Sequence, residues 1–78
     1  MAVQAYVFVY VQPKKSKAVL QAIAKVQGVK SAHILWGRPD IIAFVEADDQ
    51  KALAGLVLNK VQAIAGVETT DTRIVAEV

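Results

Sequence analysis

The stretch Trp36-Gly37-Arg38-Pro39-Asp40 carries the residue types best suited to chemistry in this chain of 78 residues. A guanidinium, a carboxylate and the backbone amides at a glycine could together hold a zwitterion. Asp40 would take an ammonium group, and Arg38 or backbone N–H groups would take a carboxylate. The same residues also suit a hairpin turn in which the Asp40 carboxylate accepts hydrogen bonds from its own turn amides. The residue types leave both interpretations open.

Glu68-Thr69-Thr70-Asp71-Thr72 is the second polar stretch. In an extended chain Thr70 and Thr72 point to the same face, because side chains alternate along a strand. Two hydroxyls at that spacing can hydrogen-bond a polar ligand. The alternative is β-propensity alone, since threonine favours strands.

His33 is the only imidazole in the chain. It could act as the general base of a small dimeric α/β-barrel enzyme of the monooxygenase or isomerase type. It could equally be a strand histidine at a sheet edge or an interface, and no carboxylate lies near it in sequence to orient the ring. The chain has no cysteine, no Gly-x-Ser-x-Gly, no Gly-x-Gly-x-x-Gly and no P-loop. We therefore expect no catalytic residue, no metal site, no cofactor and no enzymatic activity.

The elements that must position these residues follow from hydrophobic periodicity. Alternation with period two predicts a strand at residues 3–12. Further strands are predicted at 29–36, at 41–47, which is rich in β-branched and aromatic residues, and at 67–76. Helical spacing predicts one helix at 16–26, with Ser16 as its candidate cap, and a second helix with Asp48 as its candidate cap. The apolar stripe of the second helix is Ala52, Leu53, Leu56, Val57, Lys60 by its stem, Val61 and Ile64. The order predicts an α+β fold, a ferredoxin-like βαββαβ sandwich, with an antiparallel four-stranded sheet and two helices on one face. Residues 1–78 form a single domain.

The apolar content, 55%, is more than two helices over one sheet face can use. No apolar run approaches the ~20 residues of a membrane span, and no signal peptide is recognisable, so we expect a cytoplasmic protein with no membrane partner. The net charge of +2 and the lack of a basic stripe argue against direct nucleic-acid binding. Two helices leave the second sheet face uncovered, with apolar residues such as Leu35 or Trp36 and Phe44 or Val45. We therefore expect a homodimer through the sheet faces, an assembly like a dimeric α/β barrel.

Several features taken together resemble a known family. They are Gly37-x-x-Asp40, a hydrophobic strand with Val45, Asp48 or Asp49 before a helix with Leu53, and the ending Gly66-Val67-x-x-Thr70-x-Thr72. At these distances they are similar to the ligand-binding domain of the Lrp/AsnC family, also called the RAM domain. The resemblance extends over about residues 4–75.

The resemblance implies dimers joined through their sheets and assembled into octamers or rings of similar size. It implies that small effectors, usually amino acids, bind in clefts between dimers. The lining residues it implies are Gly37, Arg38, Pro39 and Asp40, with Thr70 and Thr72 from the last strand. Full-length members also carry an N-terminal helix-turn-helix domain, for which this chain has no room before its first strand. The resemblance thus implies a stand-alone effector-binding module in transcriptional regulation or amino-acid metabolism, with no DNA binding of its own and a full-length regulator as a candidate partner.

Overall fold

A computed structural model of the chain describes residues 2–76. The first half contains β1 (Val3–Val11), α1 (Ser16–Ala24) and β2 (Val29–Ile34). The second half contains β3 (Ile41–Ala47), α2 (Gln50–Gly55), a π-helical segment (Leu56–Val61) that continues α2, and β4 (Val67–Ile74). The four strands form one antiparallel sheet in the order β2-β3-β1-β4. The predicted ferredoxin-like βαββαβ fold is confirmed.

The core lies between the helices and one face of the sheet. Alternate residues of β1 and β3 point into it, because side chains of a strand alternate between the two faces. The buried apolar residues are Ala5, Val7, Val9, Val11, Val19, Ile23, Ile41, Ala43, Val45, Leu53, Leu56, Val57 and Val61. None of the helices within residues 2–76 is long and apolar enough to cross a membrane.

Within the described residues 2–76, no helix lies over the other face of the sheet. We call it the open sheet face and define it by Tyr6, Phe8, Tyr10, Ile42 and Phe44, which alternate with the buried residues of β1 and β3. Tyr6 is 43% exposed, and its ring lies 5.0 Å from that of Phe44. Of the alternatives given for this face, the structure selects Phe44.

Two other candidates for the open sheet face, Val45 and Trp36, are not among the residues that define it. Val45 is buried in the core, and Trp36 stands fully exposed after the end of β2. The predicted strand at 29–36 was therefore two residues too long.

The helix starts differ from the predictions. The Ser16 side chain does not cap α1, which begins from Lys15 without any side-chain cap. The cap of α2 is Asp49 and not Asp48, since an Asp49 carboxylate oxygen accepts the Ala52 N–H at 2.7 Å. Adjacent aspartates look equivalent in sequence, but only one stands three residues before the free amide that needs an acceptor.

Two glycines offer a matched test of backbone strain. Gly28 and Gly37 both have left-handed φ angles, +101° and +105°. A Cβ on Gly37 would meet nothing within 4 Å, whereas one on Gly28 would lie 2.6 Å from Leu56 Cδ1 and 3.0 Å from the Glu46 carbonyl oxygen. We expect Gly37→Ala to lower the free energy of unfolding by ~1–2 kcal/mol through the φ angle alone.

We expect Gly28→Ala to cost a further ~1–3 kcal/mol, because the new methyl group overpacks the contact with Leu56 and Glu46. Urea denaturation of both variants measures the difference. Equal losses in the two variants would show that crowding at Gly28 contributes nothing.

Candidate functional site

Asp40 ends the turn between β2 and β3 and is fixed by bonds to β1 and to Leu35, the residue after β2. Its backbone N–H donates to the Val9 carbonyl at 3.0 Å, and its carbonyl accepts the Leu35 N–H at 2.8 Å. Its carboxylate oxygen Oδ2 accepts the backbone N–H of Val11 at 2.8 Å. The turn interpretation was therefore wrong about the hydrogen-bond donor to the Asp40 carboxylate, which is an amide of β1 and not an amide of the turn. Because β1 extends beyond β3 at this point, the Val11 amide would otherwise lack an acceptor.

Arg38 lies across the end of β1 on the side of the open sheet face. Its Nη1 is 3.3 Å from Asp40 Oδ2 and donates to the Val11 carbonyl at 3.3 Å. Its Nη2 donates to Glu68 Oε1 at 2.8 Å, and its guanidinium carbon lies 5.1 Å from the centre of the Tyr10 ring. The hydrogen bond to Glu68, followed by the charges of Asp40 and Glu68, raises the pKa of Arg38.

We call Tyr10, Arg38, Asp40 and Glu68 the turn cluster. It contains one guanidinium and two carboxylates. The two remaining residues of the predicted turn site flank it: Gly37 is exposed, and the half-buried Pro39 follows Arg38 through a cis peptide bond. The charged groups of the turn thus already pair with one another in the isolated chain.

Thr70 and Thr72 lie on the other side of the sheet. They pair with Val9 and Val7, whose side chains are buried under the helices, so the two hydroxyls face the helices as well. They line a groove of about 430 Å³ between β4 and the second helix. We call it the threonine groove; its other lining residues are Gln50, Leu53, Ala54, Val57, Leu58, Gln62 and Ile74.

Gln62 closes one end of the threonine groove. Its side-chain amide donates to Thr70 Oγ1 at 2.7 Å. Neither Gln62 nor Glu68 was predicted as a site residue. Their participation depends on how the second helix and β4 pack against β1, which no local pattern in the sequence reports.

Within one chain, the predicted site residues therefore separate into two groups. Arg38 and Asp40 lie with Tyr10 at the end of the open sheet face, and Thr70 and Thr72 lie on the helix face. Thr69 marks the division, since it pairs with Tyr10 on the open side of the same strand. Within one chain, the two groups thus face opposite sides of the sheet.

His33 lies on β2, an edge strand, and is exposed. It pairs with Ile42 and so points to the open side of the sheet and not into the layer beneath the helices. That layer, where the α/β-barrel enzyme alternative needs a cavity, is filled by the buried valine, isoleucine and leucine side chains of the core. Within residues 2–76, no three acidic or histidine side chains are close enough to hold a metal ion.

A larger depression of about 560 Å³ lies at the opposite end of the sheet, where β1 begins and β3 ends. Lys30, Glu46, Asp48, Asn59 and Lys60 are among its lining residues. It contains none of the residues that the sequence predicted for a site.

Comparisons with known proteins show which proteins this chain is similar to. The sequence model of the family described as "Lrp/AsnC ligand binding domain" matches residues 4–78. An uncharacterised helix-turn-helix transcriptional regulator from Pyrococcus horikoshii is 32% identical over 74 residues, which cover 95% of this chain. The chain spans about half of that relative, 47% of its length.

Two solved structures show the same fold. TTHA0845 from Thermus thermophilus superposes with a TM-score of 0.91 at 25% identity, over 97% of this chain and 95% of its own. A complex of the transcriptional regulator NMB0573 with L-methionine, from Neisseria meningitidis, gives a TM-score of 0.85 at 22% identity. That match covers 96% of this chain and 50% of the regulator.

Proposed function

Because this chain belongs to the Lrp/AsnC family of ligand-binding domains, we propose that it is an oligomeric module that binds an amino-acid effector and takes part in transcriptional regulation. The relationship to transcriptional regulators supports a regulatory effector-binding role. It also supports a cytoplasmic location, where a regulator of transcription would act. We propose in addition that the ligand is an amino acid, that the chain forms an oligomer, and that the turn and threonine residues bind the ligand.

The observation that carries the proposal is the placement of the two polar groups on opposite sides of one sheet. The turn cluster offers paired charges that suit a zwitterion, and the threonine groove offers two hydroxyls among apolar side chains. We infer that a ligand that uses both takes the turn of one chain and the groove of another. We therefore place the effector in a cleft between subunits.

The open sheet face supports the oligomer. Its aromatic and aliphatic side chains form a continuous apolar surface, of a kind that usually marks an interface in a protein of this size. A second copy of the chain, packed sheet to sheet, is the occupant that we propose. It would complete the core of a short chain without disulfides. Contacts between such dimers would then form a larger ring, an octamer or similar, with the effector clefts between them.

The composition of the threonine groove suits an amino acid with an apolar side chain. Leu53, Val57 and Ile74 supply apolar walls, and Thr70 and Thr72 supply hydroxyls. The Neisseria regulator has been solved in complex with L-methionine, an amino acid of this kind. L-Methionine is therefore the first ligand to test.

We further propose that residues 1–78 do not bind DNA by themselves. The net charge is only +2, and the inner sides of the helices are buried against the sheet. A full-length regulator that shares the sheet interface is the candidate partner through which the chain would affect transcription.

Thermal denaturation in the presence of each of the twenty amino acids tests the proposed function. We expect at least one to raise the melting temperature, since a ligand at 100 times its Kd stabilises the folded state by about 2.7 kcal/mol. Thr72→Val should abolish most of that shift, because it removes a groove hydroxyl and keeps the side-chain shape.

Thr69→Val is the matched control for Thr72→Val, since it makes the same change on the same strand but on the open side. It should respond to the amino acid as the wild type does. The proposed function would be refuted if no amino acid stabilised the wild-type chain. If an amino acid shifted the melting temperature of Thr72→Val as much as that of the wild type, Thr72 would not be part of the site.

A further inference from the structure

The two ends of the Arg38 guanidinium are held very differently. Nη1 is fixed from one side by the Val11 carbonyl and the Asp40 carboxylate, both within 3.3 Å. Asp40 is itself anchored by its bond to the Val11 amide. Nη2 meets one carboxylate, that of Glu68, at 2.8 Å.

The Glu68 end is also the exposed end. The side chain of Glu68 is 42% exposed, against 22% for Asp40. Glu68 lies at the start of β4, where its side chain can turn into water without breaking a strand bond. An ion pair in such a position is weak and readily exchanged.

The charges of the turn cluster add a second effect. One guanidinium faces two carboxylates, so the cluster carries a surplus negative charge. A simple carboxylate that takes the Nη2 N–H bonded to Glu68 must displace that side chain, and near Nη2 it is also repelled by it. A zwitterion brings an ammonium group that offsets this repulsion, because opposite charges at a few ångströms attract and like charges repel.

We propose that Glu68 is a specificity-determining residue that occupies the carboxylate position on Arg38 Nη2 and so selects zwitterions over simple carboxylates. This inference rests on the proposed function, because it assigns the effector carboxylate to Arg38. The ligand class it names is a free amino acid with both charged groups. Deaminated analogues of the same shape are expected to bind less tightly.

Acetate and glycine are the smallest probes that differ by the ammonium group. The chain has two arginines, Arg38 and Arg73, so their side-chain Nε–H signals can be followed by NMR during titration at constant ionic strength. We expect Glu68→Gln to raise the affinity of Arg38 for acetate about two- to fivefold, the range that an exposed ion pair provides. Glycine should gain less, because its ammonium loses the attraction of Glu68.

Glu46→Gln is the matched control. Glu46 lies at the far end of β3, where it accepts a hydrogen bond from Gln4, and its removal changes the net charge by the same amount. Acetate affinity should be unchanged in this variant. The inference is overturned if Glu68→Gln leaves acetate affinity at the wild-type value, or if Glu46→Gln raises it equally.

The acetate titration and the amino-acid screen can fail independently. A gain of acetate affinity in Glu68→Gln, with no amino acid bound by the wild type, would keep Glu68 as the occupant of Nη2 and refute the proposed function. Amino-acid binding that Glu68→Gln leaves unchanged, together with unchanged acetate affinity, would keep the proposed function and refute the role of Glu68.

Discussion

Phe44→Glu is expected to convert a sheet-face dimer of this chain into monomers. Phe44 lies on the open sheet face with its ring against Tyr6. In a symmetric dimer the substitution removes two buried aromatic side chains, at ~1.5–3 kcal/mol each. The dimer dissociation constant should then rise by about 10²- to 10⁴-fold. Sedimentation equilibrium at micromolar concentration measures this change.

Leu58→Glu is the control for the Phe44 variant. Leu58 is also a large exposed apolar residue, at 57%, but it lies on the helix side of the molecule. This variant should keep the sheet-face dimer, and far-UV circular dichroism should show that both variants are folded. A monomeric wild type, or equal dissociation by the two variants, would contradict an interface on the open sheet face.

Asp40→Ala is expected to lower the free energy of unfolding by about 1–3 kcal/mol, because it leaves the Val11 N–H without an acceptor. Val11 as a residue is only 2% exposed, so water cannot easily replace the carboxylate at this position. Any amino-acid effect on the melting temperature should disappear as well. Urea denaturation and the amino-acid screen measure the two effects separately.

Asp40→Asn separates the structural contribution of Asp40 from its contribution to binding. The asparagine keeps a carbonyl oxygen for the Val11 N–H but carries no charge for an ammonium group. We expect most of the stability to return and the response to amino acids to remain lost. If the asparagine variant were as unstable as the alanine variant, the stability that Asp40 contributes would come from its ion pair with Arg38. If the asparagine variant bound amino acids as the wild type does, Asp40 would not be part of the effector site.

The elements of the fold could be predicted because their signals are local. The alternation along β1 and the run at Ile41–Ala47 identified two strands, the latter with its observed bounds. The apolar stripe of the second helix placed Leu53, Leu56, Val57 and Val61, all of which are buried. The element ends were less accurate, as the cap at Asp49 shows, because a cap depends on one hydrogen bond and not on a repeated pattern.

The sequence predicted the residue types of the candidate site but not the hydrogen-bond partners of those residues. The Gly37–Asp40 turn was identified as a charged loop, yet its bonds join residues far apart in sequence. Asp40 bonds Val11 across 29 residues, and Arg38 bonds Glu68 across 30. Such contacts depend on which strands are neighbours in the sheet, and residue spacing within a loop carries no information about that.

The sequence by itself determined the order of strands and helices, the family resemblance and the surplus of apolar residues, because periodicity and composition are properties of the chain alone. Only the tertiary structure decided that β1 lies between β3 and β4. That order lets Arg38 span β1 to reach Glu68, and it turns Thr70 and Thr72 to the opposite side of the sheet. The physical reason is that a strand fixes the alternation of its own side chains, whereas its neighbours are chosen by the packing of the whole sheet.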